Sequence, residues 1–483
     1  MNLNFNRTAP AALALLALLA GCKPDLADDP KSSAGSADFS RYIAVGNSLT
    51  SGYGDSGLYL EGQLNSYPSM LANQFKAVGG GEFVQPLFPA ANANGTGYLS
   101  ISGFDATGNP QIVQVQQNAA IGQGAGGIPL LVKYSGTDNQ NLGVPGIRVS
   151  DVTTPEYGTN NTATPHAFNS YFERLLPVGS QASYLQYVQE RVGVIQPTFF
   201  TDWLGNNDVL GYAASGGSDS LTSISEFTTK YGQVLDALTR NGAKGLVATI
   251  PNVATIPLFT TVPTAAVIAQ VRGTVVPAFL IAQLTAGLGL VPAQVSTIRF
   301  GFFIETRNPS TGATVVREAT PADLVPLSSR SAIGVIAPPS LLPAGFGVFI
   351  GGLVPAQVAG LNSFLPPNAL PNRLILDAKE VSYAQGRTIQ FNNAIVGAAN
   401  ARGLALFDGN AFFGRIVANG LVTNGVSNSA SFISGNLFSL DGVHPTPRGY
   451  AVIVNEMIKS INSTYNAAVP GLDPTNYRGV KFP

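Results

Sequence analysis

Apolar residues recur along the chain with two distinct rhythms. Between Ser183 and Ile195 the positions Tyr184, Val188 and Val192 fall on one face of a helix, and Pro197 stops the run. Phe227, Tyr231, Val234, Leu235 and Leu238 form a second helical stripe, closed by Asn241-Gly242. Phe391 to Ala401 carries a third. Near the C-terminus, Thr446 offers a cap and Pro447 a first residue for a helix with Tyr450, Ile453, Val454, Met457, Ile458 and Ile461 on its apolar face. Between these stripes lie short, nearly continuous apolar runs: Arg41 to Val45, Thr198 to Leu204, Gly245 to Ile250 (ended by Pro251) and Leu404 to Phe407. Such runs predict strands buried on both faces. Strands alternating with helices predict an α/β fold in three layers, a parallel sheet with helices on both faces. Ligands of such sheets sit beyond the carboxyl ends of the strands, so Ser48 and Asn207, just after two of the runs, are where chemistry is expected.

The alternation is interrupted twice. From about 79 to 140 the chain is rich in Gly, Asn and Gln, and stretches such as Gln111 to Val115 alternate apolar and polar residues, predicting a hairpin-rich region over the site. From about 254 to 372 the chain turns apolar, and neither Thr274 to Ile298 nor Ser331 to Asn372 contains a charged residue. Pro277 and Pro292 break the first stretch, and Pro338, Pro339, Pro343, Pro355, Pro366, Pro367 and Pro371 break the second, so neither suits a membrane-spanning helix. A duplication, Leu290 to Val295 and Leu353 to Val358, predicts two similar helix starts. Two readings stand for this insertion: extra core packed on the sheet, or an apolar lid or acyl-binding wall.

Composition narrows the class. With 45% hydrophobic and 11% charged residues, 54 Gly and 33 Pro, the chain reads as globular and loop-rich. About 440 residues follow the N-terminal 40, more than one ordinary domain holds, and the alternation from 41 to 465 favours one domain with large insertions, followed by a tail at 466–483. The first residues carry one positive charge, Arg7, then an uncharged Ala/Leu run from Ala11 to Ala20, too short to cross a bilayer, that ends at Leu19-Ala20-Gly21-Cys22. Cys22 is the only cysteine, so it is neither half of an internal disulfide nor part of a thiol metal site. Lys23 to Ser40 reads as a flexible tether. Without residues 1–21 the chain has 25 basic and 27 acidic residues, a formal charge of −2, which argues against a nucleic-acid partner.

Leu19 to Cys22 resembles the lipobox of bacterial lipoprotein precursors. The resemblance implies that residues 1–21 are a signal peptide, that Cys22 carries a diacylglyceryl thioether and an amide-linked acyl chain such as palmitate, and that the protein is anchored in the cell envelope by lipid. Lys23, rather than Asp, after the cysteine implies the outer membrane in a Gram-negative host. Asp25, Asp28 and Asp29 read as a solvated acidic tether, with a surface-export signal as the alternative, so the membrane face stays open.

Candidate chemistry starts from scarcity. The chain has only two histidines, His166 and His444. In Asp441-Gly442-Val443-His444 the spacing lets the carboxylate reach one ring nitrogen, which leaves the other as a base for a serine hydroxyl. Ser48, in Gly46-Asn47-Ser48-Leu49, is the candidate nucleophile. His166, in Thr164-Pro165-His166-Ala167, has no carboxylate at that spacing and reads as a solvated loop residue. Gly54-Asp55-Ser56-Gly57 resembles the nucleophile loop of chymotrypsin-like proteases, but there the histidine comes before the serine, and none precedes Ser56. No GxSxG occurs, and the glycine runs at Gly79 to Gly81 and Gly124 to Gly127 lack the ending of a phosphate loop. Neither a metal nor a cofactor is expected. Trp203 reads as core.

Gly46-Asn47-Ser48-Leu49, Asn141-Leu142-Gly143-Val144-Pro145-Gly146, Gly205-Asn206-Asn207-Asp208 and Asp441-Gly442-Val443-His444 together resemble, in order, the four blocks of the GDSL lipase/esterase family, the SGNH hydrolases. The resemblance implies a flavodoxin-like α/β core. It also implies Ser48 as nucleophile, His444 as base and Asp441 as its orienter, with an oxyanion hole from the Ser48 and Gly146 N–H groups and the Asn207 amide. The implied activity is hydrolysis of a small-molecule or lipid carboxylic ester through an acyl-enzyme. Two alternatives use the same chain: transfer of the acyl group to an alcohol, and a non-catalytic lipid- or glycan-binding envelope lipoprotein. Asn47 stands where the family has Asp, and the chain is about twice the usual core length.

Overall fold

The computed structural model describes residues 32–483 except 125, 126, 128, 160–166 and 308–310. The leader, Cys22 and His166 lie outside the described residues.

Five strands form a parallel sheet: β1 (Tyr42–Gly46), β2 (Asn141–Gly143), β3 (Phe199–Trp203), β4 (Lys244–Ala248) and β5 (Ala405–Phe407), in the order β5-β4-β3-β1-β2. Every residue of β1 and β3 is buried, as their continuous apolar runs require. Alternate side chains of β3 reach the two helix layers. Phe199 meets Phe75 and Tyr465 edge-on, Thr201 hydrogen-bonds Tyr42 at 2.7 Å, and Trp203 meets Tyr67. Helices Tyr67–Phe75 and Pro447–Tyr465 make this layer. Asp202, pointing the other way, lies beside Tyr231 of a layer built from helices Tyr184–Ile195, Ile224–Thr239 and Ala378–Ala401. Phe227 stacks on Phe391 there, with ring centroids 4.0 Å apart.

Thr446 caps the last helix ahead of Pro447, as read from the sequence, and Ser183 and Gln186 add a reciprocal capping box that the sequence analysis did not single out. The helix expected at Phe391 starts much earlier, at Ala378, because Asp377 and Glu380 form a capping box upstream of the apolar stripe.

Of the expected tether, the part from Ser33 to Ser40 packs on the domain: Ser33 pairs with Ala468, Ser36 N–H donates to the Tyr465 carbonyl at 2.8 Å, and Phe39 is buried with its ring 4.2 Å from that of Phe75. At the other end, the segment 466–483 folds back on the domain. Arg448 N–H donates to the Arg478 carbonyl at 2.9 Å, and Val480 is buried with Ile101 and Leu440.

The first insertion contains the expected hairpins, Tyr98–Phe104 with Pro110–Val115 and Ile121–Gln123 with Pro129–Leu131. The second does not pack as extra core on the parallel sheet. It forms an antiparallel sheet of its own, in the order Thr314–Glu318, Arg299–Arg307, Phe346–Phe349, and buries Phe300, Phe302 and Ile304 with residues of helices Thr264–Gly273 and Ala278–Leu288 in a second core. The physical reason is alternation: Phe300, Phe302 and Ile304 give their strand one apolar face, and that face is met by helices of the same segment. The duplication does make two helix starts, each with Pro first and a Gln folding back on its cap. The two glutamines also meet, Gln294 Nε2 donating to Gln357 Oε1 at 3.0 Å. Among the described residues no single helix is long and apolar enough to cross a membrane, and Pro257–Gly273 and Ala278–Leu288 are bent by 84° at their junction.

Candidate active site

The sheet register sets the level of the site. Gly46 at the end of β1 pairs with Gly143 of β2 and Trp203 of β3, so the loops carrying Ser48, Gly146 and Asn207 leave neighbouring strands at the same height. This is the edge at which the order turns from β1 outward in both directions, where doubly wound sheets form their crevice.

Ser48 opens a single-turn helix, Ser48–Ser51, directly after β1. Asn47 is fully buried, and its side-chain oxygen accepts the Leu49 N–H at 3.0 Å, capping that turn. Ser48 N–H belongs to the first turn, whose amides have no acceptor within the helix.

His444 and Asp441 come from a tight loop before helix Pro447–Tyr465. Ser48 Oγ lies 2.9 Å from His444 Nε2, and His444 Nδ1 lies 2.9 Å from Asp441 Oδ2. A carboxylate only accepts, so Nδ1 carries the proton and Nε2 is left to accept from the serine. The loop closes because Asp441 Oδ1 takes Val443 N–H at 2.8 Å and His444 N–H at 2.9 Å. Gly442 has φ +71° and its α-carbon faces Leu258, where an added Cβ would fall 2.8 Å from a backbone nitrogen. Burial alone raises the Asp441 carboxyl, but the His444 charge and the hydrogen bonds from His444 and Ser56 outweigh it and hold the group below the usual carboxylate range. The Tyr53 ring covers the imidazole at 4.7 Å between centroids, a neighbour the sequence did not announce.

Gly146 sits at φ +82°, a left-handed turn that suits glycine, and its N–H donates to no group among the described residues. Asn207 Nδ2 donates to the Ile147 carbonyl at 2.9 Å, which locks the amide against the Gly146 loop and leaves its second proton free. Asp208, the last residue of the third block, ties the same two loops together. It accepts from Val149 N–H at 2.7 Å, Ser150 N–H at 3.3 Å and the Thr222 hydroxyl at 2.6 Å. Burial pushes the Asp208 carboxyl up to about 6 against these bonds. Its only sequence signal was a carboxylate in the first turn of a helix.

All five expected site residues therefore lie at one sheet edge, and Ser48, His444 and Asp441 form a continuous hydrogen-bonded chain. Trp203 is core, its indole N–H donating to the Thr249 carbonyl at 3.2 Å. No group of three or more His, Cys, Asp or Glu among the described residues is placed to hold a metal ion. The arrangement can take a proton from the Ser48 hydroxyl and hold the resulting imidazolium against a buried carboxylate. Comparison with protein-family models, curated proteins and solved structures found no match.

Proposed function

We propose that this chain is a serine carboxylic-ester hydrolase of the GDSL (SGNH) type. The observation that carries the reading is the unbroken contact of Ser48 with His444 and of His444 with Asp441, both at 2.9 Å, in a chain with one other histidine. The strand order, flavodoxin-like, and the four blocks at one sheet edge add to it.

On this reading Ser48 Oγ adds to the ester carbonyl as its proton passes to His444 Nε2. The oxyanion meets the N–H groups of Ser48 and Gly146 and the free Asn207 proton. Imidazolium returns the proton to the leaving alkoxide as the carbon–oxygen bond breaks, giving an alcohol and an acyl-serine. Water, deprotonated by His444, then adds to the acyl carbonyl, and release of the acid restores Ser48–OH. The lipobox adds an envelope site, with Cys22 as the lipid anchor and the outer membrane as its destination.

The test is hydrolysis of nitrophenyl esters of rising acyl length by wild type and Ser48→Ala. The variant is expected to lose at least about 10³-fold in kcat. Equal turnover by the variant overturns the reading. A competing alcohol in the assay separates acyl transfer from hydrolysis, and an inert wild type points to a binding protein.

A further inference from the structure

Gly54-Asp55-Ser56-Gly57, set aside as a rival nucleophile loop, is built against the back of the triad. We infer that Asp55, Ser56 and Ser439 are positioning residues that fix the Asp441 carboxylate square to His444, an inference that rests on the ester-hydrolase reading.

Asp441 Oδ2, the oxygen facing the imidazole, also accepts Ser56 N–H at 2.9 Å. The donors from its own loop, Val443 and His444 N–H, both go to Oδ1. Ser56 is thus the donor besides the imidazole that fixes Oδ2. Oδ1 gains a further donor in the Ser439 hydroxyl, two residues earlier in the loop, at 3.0 Å. That hydroxyl has one proton, given to Asp441, and its oxygen accepts Asp55 N–H at 2.9 Å, so the direction of each bond is set.

Asp55 is itself fully engaged. Oδ1 accepts Leu440 N–H at 2.9 Å and Oδ2 accepts the Tyr59 hydroxyl at 2.9 Å, bonds that favour the carboxylate against the burial that raises its pKa. The Tyr59 oxygen in turn accepts from Arg478 at 3.3 Å, and Arg478 Nε pairs with Glu61. A chain of polar contacts therefore runs from the C-terminal segment through Tyr59 and Asp55 to both sides of Asp441.

The turn is shaped for this. Gly54 and Gly57 exchange two backbone hydrogen bonds, and Asp55 and Ser56 both take left-handed conformations, φ +51° and +60°. Two such residues between bridged partners make a primed turn, and non-glycine residues hold that shape only where the surroundings over-determine it. Here the surroundings are Ser439, Leu440 and Asp441.

With His166→Gln as background, His444 is the one imidazole in the chain. The Nδ1–H resonance of full-length protein can then be followed by NMR in Ser439→Ala and in Asp55→Asn, together with kcat and KM on a nitrophenyl ester. Asn tolerates the left-handed backbone at position 55, so the second variant keeps the turn if the first fails to fold. In the folded variants the resonance is expected to move upfield or broaden away, with kcat down about tenfold or more and KM within about twofold. An unchanged resonance and kcat in a folded variant overturns the inference. If the resonance responds while wild type hydrolyses no ester, the positioning stands and the ester-hydrolase reading falls.

Discussion

Asn207 holds two amide protons, and the Ile147 carbonyl takes one. The free proton is a fixed donor that needs no reorganisation when charge develops on a substrate oxygen. Asn207→Ala is expected to lower kcat by about 10²–10³-fold, or roughly 2.7–4 kcal/mol, with little change in KM. Steady-state kinetics on a nitrophenyl ester read this directly, and a loss confined to KM would remove Asn207 from the oxyanion site. Ser48, Asp441 and His444 were legible in the sequence because two of them lie three apart and the chain offers so few histidines. Asp55 and Ser56 were not, and Ser439, although two residues from Asp441, was not either, because its second partner, Asp55, is 384 positions away. Ser56 and Asp441 are 385 positions apart, and no local pattern connects a turn residue to a carboxylate at that separation. Asp208 hid for a related reason, since its partners Val149 and Ser150 belong to another loop.

At the scale of the element, the strands and the last helix's cap were readable because each is a local rule: an apolar run between breakers, or a Thr before Pro. β3 follows its rule with one exception. Asp202 stands in the middle of the strand, fully buried, with the Tyr231 hydroxyl as its polar neighbour. Burial pushes its carboxyl up to about 7, from an ordinary 3.8. A carboxyl raised on folding contributes stability that is complete below its ordinary value and is lost as pH rises through the folded one. The window is therefore about pH 4 to 7. Asp202→Asn keeps the neutral form at every pH. Relative to wild type it is expected to be near neutral at pH 4 and stabilising at pH 8, by on the order of a few kcal/mol. Urea unfolding of both proteins at several pH values measures the difference. A difference that stays constant from pH 4 to pH 8 would show that Asp202 does not titrate in this window.

For the molecule as a whole, the insertion boundaries were legible as breaks in a rhythm, but the second core was not, because a charge-free segment looks the same whether it thickens one core or builds another. What separates the two is which apolar face meets which. Phe302 and Ile304 are fully buried among helices of their own segment, whereas Phe199 and Phe391 belong to the core around the parallel sheet. The units join at their edge: Leu327 packs against both cores, Leu324 pairs with Leu376, Asp323 Oδ1 accepts Ala378 N–H at 2.9 Å, and Asn372 Nδ2 donates to the Gly216 carbonyl. Cores joined so sparsely need not unfold together. Calorimetry is expected to show two transitions. Phe302→Ala, which removes a fully buried ring at about 3–5 kcal/mol, should lower only one of them, by about ten degrees or more. Phe391→Ala should lower the other. A single transition that moves as one with either substitution would mean that the contacts at Leu327, Leu376, Ala378 and Gly216 couple the second core to the first strongly enough for both to melt as one unit.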